Sequence, residues 1–600
     1  MLRAFALSGL FLSQALTISC QNPSETPLSV NTGPYQRQEQ SRIGINQWGY
    51  YPNSKKTIIV YNDQNYSVPM PYHIINMESG AVEMYGSLTV TAPWDGTPTR
   101  IIQGDFSNIQ TPGHYKVVVP SIQESVSFQI NNSIYDRPFH DALKTYYFQR
   151  ASTAIPPQFG GRFARAAGHE DQNVWYHDGL GKTGSRSSAG GWYDAGDYGK
   201  YVVNGGVTIA TLLHLYERFP NLVNDQTNIP ESSNGQSDLL DEVIYEIQWM
   251  ETMQDEDGGV FHKLSGLTWP GAVMPNQDQQ QRYIIGKTTN ASLNFAAVLA
   301  QAARVFRTKG QQQRSERWIQ MADRAFTWAR QHPHALVPQV DGSGPYEDGQ
   351  FEDEFFWAAA ELYAATSWDK YRGLLLGHEN TTAELNLGQY TYQPRINGPV
   401  DWGQALGSPT GTLNLGYYTL ANRGYSLGSE RIGPIRAEIL RYADSIANYA
   451  ATNPARSPMK RWDFFWGSNS VHLNYGMHVA FAYSIDPKPL YLQTLSGIAD
   501  YVLGHNYNSM SFITGYGERS PQNPHHRPSE ADQVRAPIPG FVVGGPNADS
   551  YTAHNSVDRI RDSYIDIYDS YSTNETAINW SAPLVYVFGL LHHEAPKFRE

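Results

Sequence analysis

The chain has a single cysteine, Cys20. No internal disulfide can form, and no thiolate cluster can hold zinc inside the fold. Charged residues are also scarce, at 17%, and no run of Lys or Arg interrupts them. The formal net charge is −13. Phosphate binding needs a basic footprint, so nucleic acid is not expected as a partner. A neutral polymer would meet no such repulsion. Long apolar runs are missing except at the start, where Arg3 is followed by a mostly apolar stretch over 4–18. That stretch is short for a membrane span and reads as the core of a signal peptide. No short fixed repeat occurs, which argues against a regular solenoid.

Aromatic residues are plentiful instead, at 13%, with 14 Trp and 39 Tyr. The composition is that of a large globular chain able to bury a sizeable core. Leu16-Thr17-Ile18-Ser19-Cys20 resembles a bacterial lipobox, with its leucine one place early. We therefore expect a signal peptide over 1–19 and a lipid on Cys20. A tether over 20–40, polar and rich in Pro, Ser, Asn and Gln, follows. The expected location is secreted and membrane-anchored, at the outer membrane or cell surface of a bacterium.

The texture changes once within the remainder. Over 41–134, short β-branched and aromatic runs at 57–61, 87–90, 115–119 and 126–130 alternate with Gly, Pro, Asn and Asp. This predicts a small β-sandwich. Over 135–600 the pattern is helical. At 237–253, Leu239, Leu240, Val243, Ile247 and Met250 share one face, with Ser237 as the expected N-cap. Similar patterns recur at 293–306, 314–330, 353–366, 437–451 and 490–503. Long helices joined by long loops fit a closed double ring. The expected fold is mainly α, with the sandwich first.

Three distant segments carry the chemistry. In Gly190-Gly191-Trp192-Tyr193-Asp194-Ala195-Gly196-Asp197, two carboxylates lie three residues apart among glycines and aromatics. A tight turn presenting both to a sugar is one reading; a capping or calcium-holding turn is the other. The segment from Ser511 to Arg527 ends in His525-His526-Arg527, whose planar donors suit sugar hydroxyls. Metal binding by His525 and His526 is the rival, though adjacent side chains diverge. The third segment places Glu575 among Asn, Thr and Tyr before the apolar run at 584–591. A carboxyl there would have a raised pKa and could donate a proton, or it could simply cap the helix.

Together these segments resemble glycoside hydrolase family 9, an inverting cellulase family. The likeness extends over nearly the whole mature chain, and Arg42-Ile43-Gly44-Ile45-Asn46-Gln47-Trp48-Gly49-Tyr50 is similar to the Ig-like module of one branch. The resemblance implies an (α/α)6 barrel preceded by an Ig-like β-sandwich. It implies Asp197 as general base, Asp194 as a partner holding the attacking water, and Glu575 as general acid. His525 and Arg527 would bind the sugar near the cleavage point; Trp466 is read either as a stacking platform or as a core tryptophan. Inversion implies an acid–base separation of about 6.5–9.5 Å. One departure is Ser581, where the family pattern has asparagine. Another is Arg150-Ala151-Ser152 and Ala167-Gly168-His169, at places where many members carry zinc-binding cysteines. No catalytic cofactor is implied. Structural calcium stays open, with Asp348, Glu352 and Asp353 as one acidic loop.

The expected activity is that of an endo-β-1,4-glucanase on cellulose or cello-oligosaccharides. Exo-action as a cellodextrinase, β-glucosidase or exo-glucosaminidase is the allied alternative. A surface glycan-binding lipoprotein without catalysis is the reading from another class.

Overall fold

The computed structural model describes residues 42–62, 65–91, 100–122, 124–347, 349–378, 385–401, 411–548 and 563–598. The expected signal peptide, the tether, Cys20 and Asp348 lie outside the described residues. Residues 41–600 form one compact unit.

The first part is the expected sandwich. Eight strands follow one another: β1 (Ile43–Gly44), β2 (Gly49–Tyr50), β3 (Thr57–Asn62), β4 (Met70–Asn76), β5 (Val82–Val90), β6 (Arg100–Asp105), β7 (Gly113–Val119) and β8 (Glu124–Ile130). Their order is β1-β3-β6-β5-β4-β7-β8-β2. Strand β5 pairs with β4 at its start and β6 at its end, and so passes between the two layers. Alternating side chains such as Ile58, Val60, Ile74, Val117 and Phe128 turn inward into a core of their own.

Among the described residues of the second part, twelve longer helices form outer–inner pairs. The outer members are α1 (Asp136–Gln149), α3 (Asp238–Thr252), α5 (Gln312–Gln331), α7 (Asp369–Leu376), α9 (Ser429–Thr452) and α11 (Pro489–Val502). The inner members are α2 (Val202–Arg218), α4 (Thr289–Thr308), α6 (Glu352–Thr366), α8 (Leu413–Arg423), α10 (Ser468–Ile485) and α12 (Ile578–His593). Each inner helix packs on the next, and α12 returns to α2. Tyr418 of α8 and Phe481 of α10 stack at 4.2 Å and close the ring at that step. This is the (α/α)6 barrel. Inner helices α4 and α10 are buried on almost every side, and their sequences are correspondingly poor in charge.

Ser237 does occupy the N-cap of α3, but its hydroxyl makes no capping bond. The backbone N–H groups of Leu240 and Asp241 go to the Ser237 carbonyl instead. Position was legible there and the side-chain contact was not.

The sandwich is pinned to the barrel by buried polar contacts. Asn46 Nδ2 donates to Asp500 Oδ1 at 2.9 Å, and Arg456 pairs with the other oxygen at 2.7 Å. Gln47 donates to the Ser509 carbonyl and accepts from the Arg519 N–H, so it brackets the loop that leads to His525. Trp48 packs edge-on against Tyr516 of the same loop at 4.7 Å.

A second, five-stranded sheet lies between α1 and α4. Its strands are β9 (Val174–Tyr176), β10 (Ser185–Arg186), β11 (Lys200–Tyr201), β12 (Val260–Ser265) and β13 (Tyr283–Thr288), ordered β10-β9-β13-β12-β11. Strand β11 runs directly from the Asp194/Asp197 turn into α2.

Candidate active site

The turn before β11 is shaped from below. Gly191 has φ +79°, and an added Cβ would lie 2.6 Å from Trp249, so glycine is required there. Glu246 of α3 accepts the Trp192 N–H at 2.6 Å, and Glu242 accepts from the Trp192 indole at 3.2 Å. Lys200 and Arg282 both pair with buried Asp171, which fixes the strand that follows. These contacts aim Asp194 and Asp197 to one side.

Asp194 is 1% exposed. Its Oδ1 accepts from Asn204 Nδ2 at 2.9 Å and its Oδ2 from the Tyr346 hydroxyl at 2.7 Å. Burial, then the charge of Asp197, push its pKa up to about 7, against the pull of those two hydrogen bonds. Asp197 Oδ2 accepts the Gly199 N–H at 2.9 Å.

The His/Arg loop comes up against this turn. Arg527 donates its backbone N–H to the Gly196 carbonyl at 3.1 Å. A Cβ on Gly196 would stand 2.1 Å from the His525 carbonyl oxygen, so only glycine lets the two loops meet. His525 Nδ1 donates to the Tyr568 carbonyl at 2.8 Å, which leaves Nε2 as an acceptor. Burial and the adjacent Arg527 lower its pKa to about 4, so the ring is neutral. Arg527 Nε donates to the Pro270 carbonyl at 2.8 Å, while its buried Nη1 has no hydrogen-bond partner among the described residues. His526 points elsewhere, to Gln149 and Ser529. The adjacent histidines therefore diverge and form no metal pair.

Glu575 has extended backbone where a short helix over 571–574 ends, and Ala577, not Glu575, is the N-cap of α12. His525 and Glu575 form a parallel β-bridge, and the Glu575 carbonyl accepts from Gly544. Burial first, then the charge of Asp197, push its pKa up to about 8, with Arg527 opposing. Ser581, at the family's asparagine position, is buried within α12. Trp466 is half-buried, and its ring lies 5.6 Å from Tyr571, which in turn lies 6.0 Å from His525. All six residues singled out from the sequence thus come together.

Several others were not singled out. Tyr346 holds Asp194, and its loop is itself clamped. Lys263 Nζ donates to the Gly344 carbonyl at 2.8 Å, the Gly344 N–H donates to the Tyr201 hydroxyl at 3.0 Å, and His262 bonds the Pro345 carbonyl at 2.8 Å. Asp566 accepts the N–H groups of Gln522 and Asn523 at 2.8 and 2.9 Å and the Asn574 amide at 3.2 Å. It ties the Glu575 segment to the His525 loop. Trp269, exposed beside the peptide that Arg527 holds, is a further aromatic at the rim. A lone Tyr or Trp 70 or more residues from a motif carries no sequence signal of its own. Asp566 stood within the third segment and was legible in principle.

At the place of the missing zinc cysteines, Ser152 donates to the His169 carbonyl. His169 uses both ring nitrogens, on Tyr193 at 2.8 Å and Asp278 at 3.2 Å. Of the acidic loop expected for calcium, Asp353 accepts from the Thr412 N–H at 2.8 Å. The described residues instead gather Asp225, Asp238 and Asp241 within 4.8 Å of one another. Asp238 is 1% exposed and its Oδ1 has no hydrogen-bond donor among the described residues, a state that a hard cation would relieve. The donor set suits calcium.

The model of glycosyl hydrolase family 9 matches residues 135–588, and that of the cellulase N-terminal ig-like domain matches 38–124. A xyloglucan-specific endo-beta-1,4-glucanase of Bacteroides ovatus is 37% identical over 571 residues, 90% of this chain and 92% of that one. A cellulose 1,4-beta-cellobiosidase of Acetivibrio thermocellus is 33% identical over 617 residues, 92% of this chain and 67% of that one. A solved Bacteroides ovatus family 9 structure superposes with a TM-score of 0.81 at 36% identity, over 92% of this chain and 99% of that one. The chain belongs to glycosyl hydrolase family 9, with the family's N-terminal Ig-like domain.

Proposed function

We propose that the protein hydrolyses β-1,4-glucosidic bonds of glucan chains with inversion at the anomeric carbon. The observation that carries this reading is a buried Glu575 carboxyl held neutral within the electrostatic reach of Asp197. Glu575, pushed up to about 8, holds a proton at neutral pH beside the Asp197 charge that helps keep it there.

Glu575 acts as general acid and protonates the leaving oxygen. Asp197 acts as general base and takes a proton from water on the opposite face of the ring. Its Oδ2 is occupied by Gly199, so Oδ1 serves the water. Asp194, fixed by Asn204 and Tyr346, orients that water. His525 Nε2 and Arg527 Nη1 receive and donate hydrogen bonds to sugar hydroxyls, and Trp466 stacks on a ring. General acid and base assistance contribute about 10²–10⁴-fold each. Asp225, Asp238 and Asp241 would hold a structural calcium that stiffens the entry to α3 and takes no part in the chemistry.

Endo-cleavage of a β-1,4-glucan is the preferred mode. The Bacteroides ovatus relative is named for xyloglucan, which favours a branched glucan as a second reading. We further propose that Cys20 is lipidated and tethers the enzyme to a bacterial membrane surface; Cys20→Ala should release it to the soluble fraction.

The test is a proton NMR time course on cellohexaose and on xyloglucan oligosaccharides. α-Anomer appearing first, with mixed internal products, supports the proposal. β-Anomer first would overturn inversion, and release of one small product would replace endo- by exo-action.

A further inference from the structure

Lys263 is a cation buried one strand away from the catalytic turn. It is 1% exposed on β12 and pairs in register with Tyr201 of β11, the strand into which Asp197 leads. Its Nζ bonds the Gly344 carbonyl at 2.8 Å and meets no carboxylate within 4.0 Å among the described residues. An ammonium taken out of water without a close counter-ion is costly. Burial pulls its pKa down to about 8, and the charge of Asp197, then that of Glu347, works against the fall. Lys263 therefore still carries its proton at neutral pH.

Tyr201 joins this cation to the turn. Nζ of Lys263 stands 5.9 Å from the centre of its ring. A Cβ on Gly199 would lie 2.6 Å from the Tyr201 hydroxyl and 2.7 Å from Asp197 Oδ2, so phenol and carboxylate close on one backbone position. Burial, then the charges of Asp197 and Asp194, keep that phenol protonated. The other neighbours of Lys263 bring no charge. His262 is neutral, its pKa pushed down to about 3 by burial and then by Lys263 itself, and the register partner on β13 is Ile285. Arg527, a second cation at the site, pulls down on Glu575, and His525 is neutral.

Three carboxyls act on one another here, and such groups do not all ionise together. Burial and the Asp197 charge push Asp194 up to about 7 and Glu575 up to about 8. Coulomb attraction is mutual, so the carboxylate that steadies the buried ammonium is steadied by it. We propose that Lys263 is a positioning residue for the general base: its buried ammonium keeps the negative charge of the cluster on Asp197, while the same Nζ, through Gly344, holds the loop that brings Tyr346 to Asp194. The proposal rests on the assignment of Asp197 as base and adds what keeps that base unprotonated.

The experiment records kcat and KM against pH on cellohexaose for wild type, Lys263→Met and Lys263→Arg. Without the cation the base takes up its proton more readily. Lys263→Met should therefore move the acidic limb of kcat/KM up by about one pH unit, about tenfold in rate at the acid end, with KM little changed. Lys263→Arg keeps a charge and a donor and should hold the limb at its wild-type place. A purely structural clamp would instead scale the rate by one factor at every pH. An unmoved limb in Lys263→Met, or a limb that moves equally in both variants, would overturn the role. Should Lys263→Met fail to fold, Lys263→Gln, neutral and polar, is read in the same way. A wild type that leaves cellohexaose uncut, or that releases β-anomer first, would bring down the assignment of the base itself, and this role with it.

Discussion

Tyr346 donates its hydroxyl proton to Asp194 at 2.7 Å, across 152 positions of sequence. The bond opposes the burial that raises the Asp194 pKa. Tyr346→Phe removes it without changing the packed ring. We expect kcat to fall about tenfold, the worth of one hydrogen bond to a buried carboxylate, with KM little changed. Steady-state kinetics on cellohexaose would show this, and an unaltered kcat would remove Tyr346 from the positioning of Asp194.

The pH profile follows from Glu575. As general acid it must be protonated, so activity should hold below about 8 and fall as pH rises through it. Arg527 pulls that pKa down. Arg527→Gln should therefore move the alkaline limb to higher pH, even as it weakens sugar binding. A limb that moves downward would contradict the assignment of Glu575.

Glu246 gives a stability test apart from activity. Its carboxyl, buried beneath Trp192, is pushed from 4.5 up to about 8, chiefly by burial. The folded state thus binds more protons than the unfolded chain between those values, and stability falls as pH rises through that window. Glu246→Gln cannot ionise and keeps an acceptor for the Trp192 N–H. Its Tm relative to wild type should improve steadily from pH 5 to pH 8. Parallel Tm curves in scanning calorimetry would contradict the shift.

Asp566 receives two backbone N–H groups and one amide where the two catalytic loops meet. Asp566→Ala leaves those donors without their acceptor and frees the Glu575 segment from the His525 loop. A kcat loss of about 10²-fold is expected, comparable to losing general acid assistance. Circular dichroism should show the barrel intact. Full activity in this variant would show that the His525 bridge and the Gly544 contact place Glu575 without Asp566.

The Asp225/Asp238/Asp241 cluster predicts a cation effect on folding. Chelator should lower the Tm, added calcium should restore it, and Asp238→Asn should be insensitive to both. Equal Tm values with and without chelator would mean the three carboxylates balance without a metal.

Both domains were legible in the sequence because their periodicities differ. Strands such as β7 and β8 alternate with a period of two, and helices such as α3 and α4 repeat near 3.6, so burial imprints each pattern locally. Asp194, Asp197, His525, Arg527 and Glu575 were legible because each sits in a dense motif whose glycines and aromatics have local causes. Gly191 must clear Trp249, and Gly196 must clear His525. What the sequence could not reveal depends on loops meeting across the fold. Tyr346 reaches Asp194 only because Lys263, Tyr201 and His262 clamp its loop. Ser237 has the right place for a cap and makes none, because a capping bond depends on side-chain direction. Local chemistry determined which residues stand out as candidates for the site; the tertiary packing of loops over the barrel and sheet decided which neighbours hold them, since those contacts join positions whose separation leaves no periodic trace.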